Sequence, residues 1–291
     1  MPYSEEREET TATACERCGG RGWIVVADGG AGTARQCPCR QENVVPRLLA
    51  AAGVPARYRH CRLRTFHAAG SHGTDAQLLR ARTLAQQYVD EFVQPSETGG
   101  PVFKTSGLLF TGPPGVGKTH LAVGILVELI ERYRIHGRFV EFTSLLHQIQ
   151  STFDPGSPES KREILDPLAE AELLVLDELG AQQATPWVRD ILYLIINGRY
   201  TRRKPTLFTT NYRLEGVSQP AALVKPAATD RGLDRWGRDA EPPREEAASL
   251  LTTRLPPMLV SRLYEMAQPV ALDGVKEDFR REHAIHGAHL R

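Results

Sequence analysis

Eight consecutive residues, Gly112-Pro113-Pro114-Gly115-Val116-Gly117-Lys118-Thr119, carry the spacing Gly-x-x-x-x-Gly-Lys-Thr. An apolar run, Gly107-Leu-Leu-Phe-Thr111, precedes them, and a helical pattern follows from about Leu121. Strand, glycine turn and helix form the context in which this spacing turns successive backbone N–H groups inward around nucleotide phosphates. Lys118 then reaches the β and γ phosphates, and the Thr119 hydroxyl ligates Mg²⁺. His120, next along the chain, is grouped with them. These residues predict that the protein binds ATP or GTP.

A second acidic element fits the first. Residues 172–177, Glu-Leu-Leu-Val-Leu-Asp177, read as a strand that delivers Asp177 to its carboxyl edge, with Glu178 next. Beside a phosphate loop, Asp177 can hold the Mg²⁺ shell, and Glu178 can polarise the attacking water as a general base. A third run, Pro205-Thr-Leu-Phe-Thr-Thr210, ends in Asn211, whose amide can orient that water. Arg262, on a predicted helix just before the last strand, is placed to reach a neighbouring subunit's nucleotide and stabilise transition-state charge. Arg280 is placed to contact phosphates within its own subunit. Taken alone, each arginine reads first as a surface residue.

The cysteines suggest a second kind of chemistry. Cys15-Glu-Arg-Cys18 and Cys37-Pro-Cys39 give C-x2-C-x18-C-x-C, two close pairs that a short hairpin would join around a tetrahedral Zn²⁺. Trp23–Val26 and Thr33–Gln36 supply the arms. Four thiolates leave no open coordination position, so the expected zinc is structural and the module serves docking; four free thiols is the alternative. Cys61, left over, reads as a small buried apolar residue.

The elements that must position these groups alternate between strand and helix, which predicts a parallel sheet covered on both faces. Arg138–Phe142 and Pro269–Leu272 supply further strands, Trp187–Asn197 a core helix, and Ala76–Val93 an amphipathic helix followed by a Pro/Gly linker at 95–101. The hydrophobic share of 41% is ample for a core, and no apolar run approaches the ~20 residues of a membrane span. Glu5, Glu6, Arg7, Glu8 and Glu9 are too charged for a signal peptide, so a soluble cytoplasmic protein is expected. The net charge is +1, so any nucleic-acid contact must come from a local patch. Thr143–Gln150 with Lys161 and Arg162 is one candidate for gripping single-stranded DNA; the competing reading is a solvated helix face. Arg57-Tyr58-Arg59-His60 either lies near a base or starts the core domain. His283, His286 and His289 read as a tail.

Several segments together resemble the DnaC/DnaI/IstB-like branch of the AAA+ ATPases. They are Val54-Pro-Ala-Arg-Tyr58 leading to Thr65-Phe66, the phosphate loop through His120, and Leu-Leu-Val-Leu-Asp-Glu-Leu-Gly180. Ile196-Asn-Gly-Arg-Tyr200, Thr-Thr-Asn-Tyr212 and Val260-Ser-Arg-Leu-Tyr-Glu-Met266 complete the set. The resemblance implies a P-loop α/β sandwich with Walker A at 112–119, Walker B at Asp177 and Glu178, and sensor 1 at Asn211. It also implies an arginine finger at Arg262, sensor 2 at Arg280 and a truncated lid. The domains it suggests are a zinc module at 1–52, a linker and helix at 53–101, and an ATPase core at 102–291 with an insertion at 214–250.

The function it implies is ATP-dependent loading of the replicative DNA helicase onto single-stranded DNA, with the zinc module docking the helicase and the loader assembling as a nucleotide-dependent homo-oligomer. A transposition helper, or a nucleotide-gated adaptor with little hydrolysis, is the alternative.

Overall fold

Five runs rich in apolar residues form five strands, β1 (Gly107–Thr111), β2 (Gly137–Glu141), β3 (Leu173–Asp177), β4 (Thr206–Thr210) and β5 (Ala267–Ala271). All pair in parallel, in the order β5-β1-β4-β3-β2. Every residue of β1, β3 and β4 is buried, which explains why these strands read as near-continuous runs and not as alternating patterns. The computed structural model describes residues 23–26, 33–36, 43–70, 73–95, 101–153, 160–214, 250–275 and 278–279.

Among the described residues seven α-helices accompany the sheet: α1 (Val44–Ala51), α2 (Ala76–Asp90), α3 (Lys118–Tyr133), α4 (Phe142–Ser151), α5 (Lys161–Glu170), α6 (Pro186–Thr201) and α7 (Pro257–Met266). They fall into two layers. Leu108, Phe110, Leu173, Val175, Leu207 and Val270 face a core built with α1, α2 and α3. Leu109, Leu174, Leu176 and Phe208 face the opposite core, built with α4 to α7. This is the expected α/β fold, a parallel sheet sandwiched by helices.

Local chemistry sets the helix starts. Asp75 caps α2 by accepting from the Gln77 and Leu78 amides, and Ser160 forms a capping box with Glu163 on α5. Thr185 caps α6, where Pro186 occupies the first turn. Each such cap is worth about 1 kcal/mol. α3 differs: its N-cap is Gly117, with no side-chain cap, so its first amides are left for another partner.

On the α4-to-α7 side of the sheet, the fully buried Arg199 of α6 clasps the end of α5 to the start of β4. Its guanidinium donates to the carbonyls of Leu168, Ala171 and Pro205 at 2.6–2.9 Å and to Thr206 Oγ1 at 2.8 Å. Burial lowers its pKa to about 9, against the opposing pull of Tyr88 and Glu170.

Some expectations shift by a few residues. Phe142 opens α4 instead of closing β2, because the Glu141 carboxylate caps the Thr143 and Ser144 amides. The helix from Ala76 ends at Asp90, and Val93–Pro95 pairs antiparallel with Pro101–Phe103 on either side of the Pro/Gly stretch. Leu48 of α1 and Ala52 are buried in the α3-side core, so the chain joins this layer already from about Val44. Tyr58 packs against Phe139 of β2, which fits the reading that Arg57–His60 starts the core domain. Cys61 is buried, 2% exposed. The four paired cysteines, most of the 214–250 insertion, Arg280 and the three C-terminal histidines lie outside the described residues.

Candidate nucleotide site

The sheet order places the carboxyl ends of β1, β3 and β4 side by side, and the predicted site residues project from these ends. Thr111, the last residue of β1, lies opposite Thr210 of β4. The chain then turns through Gly112, Gly115 and Gly117 at φ of +142°, +84° and +93°, angles that L side chains rarely adopt. Pro113, Pro114 and Val116 fill the turn between them. At Gly117 an added Cβ would also lie 2.6 Å from the Phe66 ring, so the loop is pinned from outside by the 62–66 turn.

Lys118 opens α3, buried, with Nζ donating to the carbonyls of Gly112 and Pro113 at 2.7 Å each. The ammonium is thus held at the mouth of the loop, beside the uncapped helix amides. Together they make an anion-binding concavity suited to phosphate.

Thr119 Oγ1 donates to Asp177 Oδ1 at 2.9 Å, joining the loop helix to the end of β3. Thr209 Oγ1 donates to the same oxygen at 2.6 Å and accepts from the Glu178 amide at 3.0 Å. Burial pushes the Asp177 carboxyl above its ordinary value, while the Thr209 and Thr119 hydroxyls pull it down. Its other oxygen, Oδ2, is buried with no hydrogen-bond partner. An orphaned buried carboxylate oxygen next to a threonine hydroxyl is a donor set for a hard cation, so these residues fit Mg²⁺.

Glu178 adopts φ +60°, a left-handed conformation uncommon for a non-glycine residue. The turn aims its half-buried side chain differently from a continuing strand, and the Thr209 contact holds its backbone amide. Asn211 follows β4 directly and is exposed at the same edge.

Three placements were not readable from the residues. Thr209 is the hub of the acidic pair. Asp273, just beyond β5, receives the Thr111 hydroxyl at 3.4 Å and faces Arg213 at 3.8 Å; burial raises its carboxyl and Arg213 lowers it. Asp278 lies against the loop, its Oδ1 2.0 Å from where a Gly115 Cβ would stand. His120 faces outward from the phosphates: its Nε2 lies 2.9 Å from the Arg62 carbonyl and 3.3 Å from Thr65 Oγ1, with Phe66 edge-on to its ring. Burial lowers its pKa, so it sits there as neutral imidazole.

Arg262 is not brought to this loop. It lies on α7 in the other layer, its guanidinium 5.0 Å from the Tyr193 ring and 5.6 Å from the Tyr200 ring of α6. The DNA candidates are mixed in character. Thr143–Gln150 belongs to α4, which buries Leu145, Leu146 and Ile149, whereas Arg162 is exposed and paired with Asp166. In the N-terminal hairpin Trp23 pairs with Gln36 and Val26 with Thr33. Among the described residues no helix is long and apolar enough to cross a membrane.

Comparison with known proteins places the chain in a family. The chain is 30% identical over 141 residues to the replicative helicase loader DnaC of Escherichia coli K12, a match that covers 48% of this chain and about half (53%) of DnaC. It is 26% identical over 208 residues to the phage-like element PBSX protein XkdC of Bacillus subtilis 168, covering 70% of this chain and 73% of XkdC. A crystal structure of the DnaC helicase loader superposes with a TM-score of 0.54 at 28% identity, covering 75% of this chain and 99% of that one. The family model for the IstB-like ATP binding protein matches residues 91–241, just over half of the chain and the whole of the loop, β3 and β4. The chain belongs to the IstB-like ATP-binding protein family.

Proposed function

We propose that this protein is a Mg²⁺-dependent ATPase that loads a replicative DNA helicase onto single-stranded DNA. The observation that carries the reading is the likeness to the DnaC loader over nearly all of that crystallised chain, at 28% identity. The site supports the chemistry.

In this reading the loop amides and Lys118 bind the phosphates. Thr119 and Asp177 would hold Mg²⁺, which would supply charge neutralisation at the phosphates. Glu178, fixed by Thr209, takes the proton from the attacking water, and Asn211 orients that water from the end of β4. Arg262 acts on the nucleotide of a neighbouring copy, since it sits in the layer away from its own loop. Arg280 contacts phosphate within its own subunit. Cys15, Cys18, Cys37 and Cys39 hold a structural Zn²⁺ in a module that docks the helicase, and hydrolysis releases the loader. All of this is work of the cytoplasm. The second reading, a transposition helper, is favoured by the family model alone.

The test is capture by a variant arrested with ATP. Glu178→Gln should keep nucleotide binding, stop turnover and retain the replicative helicase from host lysate, and should lose it when Cys15 and Cys18 are replaced. Recovery of a transposase would replace the loader with the helper. Wild-type turnover by Glu178→Gln would remove the base from Glu178.

A further inference from the structure

Arg262 is an unusual arginine. Its Nη1 is buried without a hydrogen-bond partner, and it forms no ion pair among the described residues. A buried guanidinium nitrogen without an acceptor is costly, because water has been removed and nothing replaces it. Stacking on Tyr193 and Tyr200 offsets part of that cost through the faces of the guanidinium and consumes none of its edge N–H donors.

A carboxylate is nevertheless close at hand. Glu265 lies three residues further along α7, a spacing at which side chains on a helix meet. It is turned to another partner: the Tyr200 hydroxyl donates to Glu265 Oε1 at 2.9 Å, a bond that raises the Tyr200 pKa. Tyr200 therefore does two things at once. Its ring supports the guanidinium, and its hydroxyl occupies the carboxylate that would otherwise neutralise it.

We infer that Tyr200 is a positioning residue for Arg262: by holding Glu265 away, it keeps the exposed part of the half-buried Arg262 side chain free for an anionic acceptor on a second copy of the chain. This rests on the proposed role of Arg262 toward a neighbour's nucleotide. The acceptor is a phosphate oxygen of that nucleotide. Tyr193, 37% exposed on the same face of α6, completes the clamp. Tyr200 touches no substrate in this arrangement, and its effect passes entirely through Arg262.

The experiment compares wild type, Arg262→Ala, Tyr200→Phe, and Tyr200→Phe combined with Glu265→Gln. Turnover of Mg·ATP is measured at rising protein concentration, and nucleotide affinity with a fluorescent ATP analogue. Arg262→Ala should lower the concentration-stimulated kcat at least about tenfold and leave affinity unchanged, since a finger arginine contributes on the order of 10³ or more where fully engaged. Tyr200→Phe keeps the ring and releases Glu265, so kcat should fall about threefold to fivefold, the scale of a partly exposed ion pair, again without a change in affinity. Removing the released charge with Glu265→Gln should restore kcat to within about twofold of wild type on that scale. A merely structural role for Tyr200 gives no such rescue.

If Arg262→Ala lowers kcat but Tyr200→Phe turns over like wild type, or its loss persists with Glu265→Gln, the inference is overturned and the role of Arg262 stands. If Arg262→Ala itself turns over normally, both fall.

Discussion

Replacing Thr209 with valine removes one oxygen and almost no volume, yet that oxygen ties the two acids of the site together. It donates to Asp177 Oδ1 at 2.6 Å and accepts from the Glu178 amide at 3.0 Å, and Thr209 is 1% exposed. Loss of a hydrogen bond to a charged group costs about 1.5–3 kcal/mol, and the orphaned, part-buried amide adds about 1 kcal/mol. The expected loss is thus about 2.5–4 kcal/mol, a large fraction of the 5–15 kcal/mol that typically holds a domain. Catalysis should suffer separately. Glu178 is held at φ +60°, a conformation that costs about 1–3 kcal/mol and persists only while its neighbours fix it. Freed from Thr209, its carboxylate drifts, and a displacement of about 1 Å at a reacting group lowers turnover by on the order of 10². Asp177 also loses a contact that lowers its pKa, so the acid limb of Mg²⁺-dependent turnover moves to higher pH. Urea unfolding, steady-state kcat between about pH 5 and 8, and ATP affinity at saturating Mg²⁺ measure the three effects. Thr209→Ser keeps the oxygen and should preserve kcat within a few-fold. Wild-type stability and kcat in Thr209→Val, or equal losses in the serine variant, would refute the reasoning.

Two further outcomes follow from buried charge. Arg199→Lys should destabilise the protein by about 3–5 kcal/mol in urea, because an ammonium cannot span the three carbonyls and Thr206 Oγ1 that the guanidinium joins; a shift below about 1 kcal/mol would show that the clasp is dispensable. Burial raises Asp177 above its ordinary carboxylate value, so the folded protein keeps that proton to higher pH than the unfolded chain. The Asp177 contribution to stability without metal should therefore fall as pH rises through the raised value, and Mg·ATP should offset the fall by binding the deprotonated form. Melting temperatures across about pH 4–7, with Mg·ATP or with EDTA, report this as a difference in slope, and equal slopes in wild type and Asp177→Asn would exclude it.

Much of the site was legible because its parts are local. The phosphate loop is eight adjacent residues, and Asp177 with Glu178 ends a run whose apolar character marks a strand buried on both faces. Strand boundaries moved by a residue or two where capping competed with pairing, as at Glu141, whose carboxylate turns the chain into α4. What the sequence does not display is which strands become neighbours. β1 and β4 are separated by roughly a hundred residues and adjoin in the sheet, and that adjacency, with β3 on the other side of β4, brings Lys118, Asp177 and Asn211 to one edge.

Thr209 shows where such reading stops and how it can be extended. In Thr-Leu-Phe-Thr-Thr it looks like any β-branched strand residue, since threonine suits a pleated surface for steric reasons alone. Its partner Asp177 is distant in sequence and comes opposite only through the β3–β4 pairing. One signal was nevertheless present. A strand flanked by apolar runs and destined for burial on both faces cannot leave hydroxyls unpaired. Thr209 and Thr210, at its carboxyl end, therefore had to find acceptors in neighbouring segments, and an acid ending the adjacent strand is the nearest. Thr210 obeys the same rule, donating to the Leu179 carbonyl at 2.7 Å. Tyr200 and Glu265 are harder to foresee, because each reads as a surface residue on its own helix and their pairing depends on how α6 meets α7. Arg262 is what makes that pairing meaningful: with Glu265 engaged by the Tyr200 hydroxyl, the guanidinium has no ion-pair partner among the described residues.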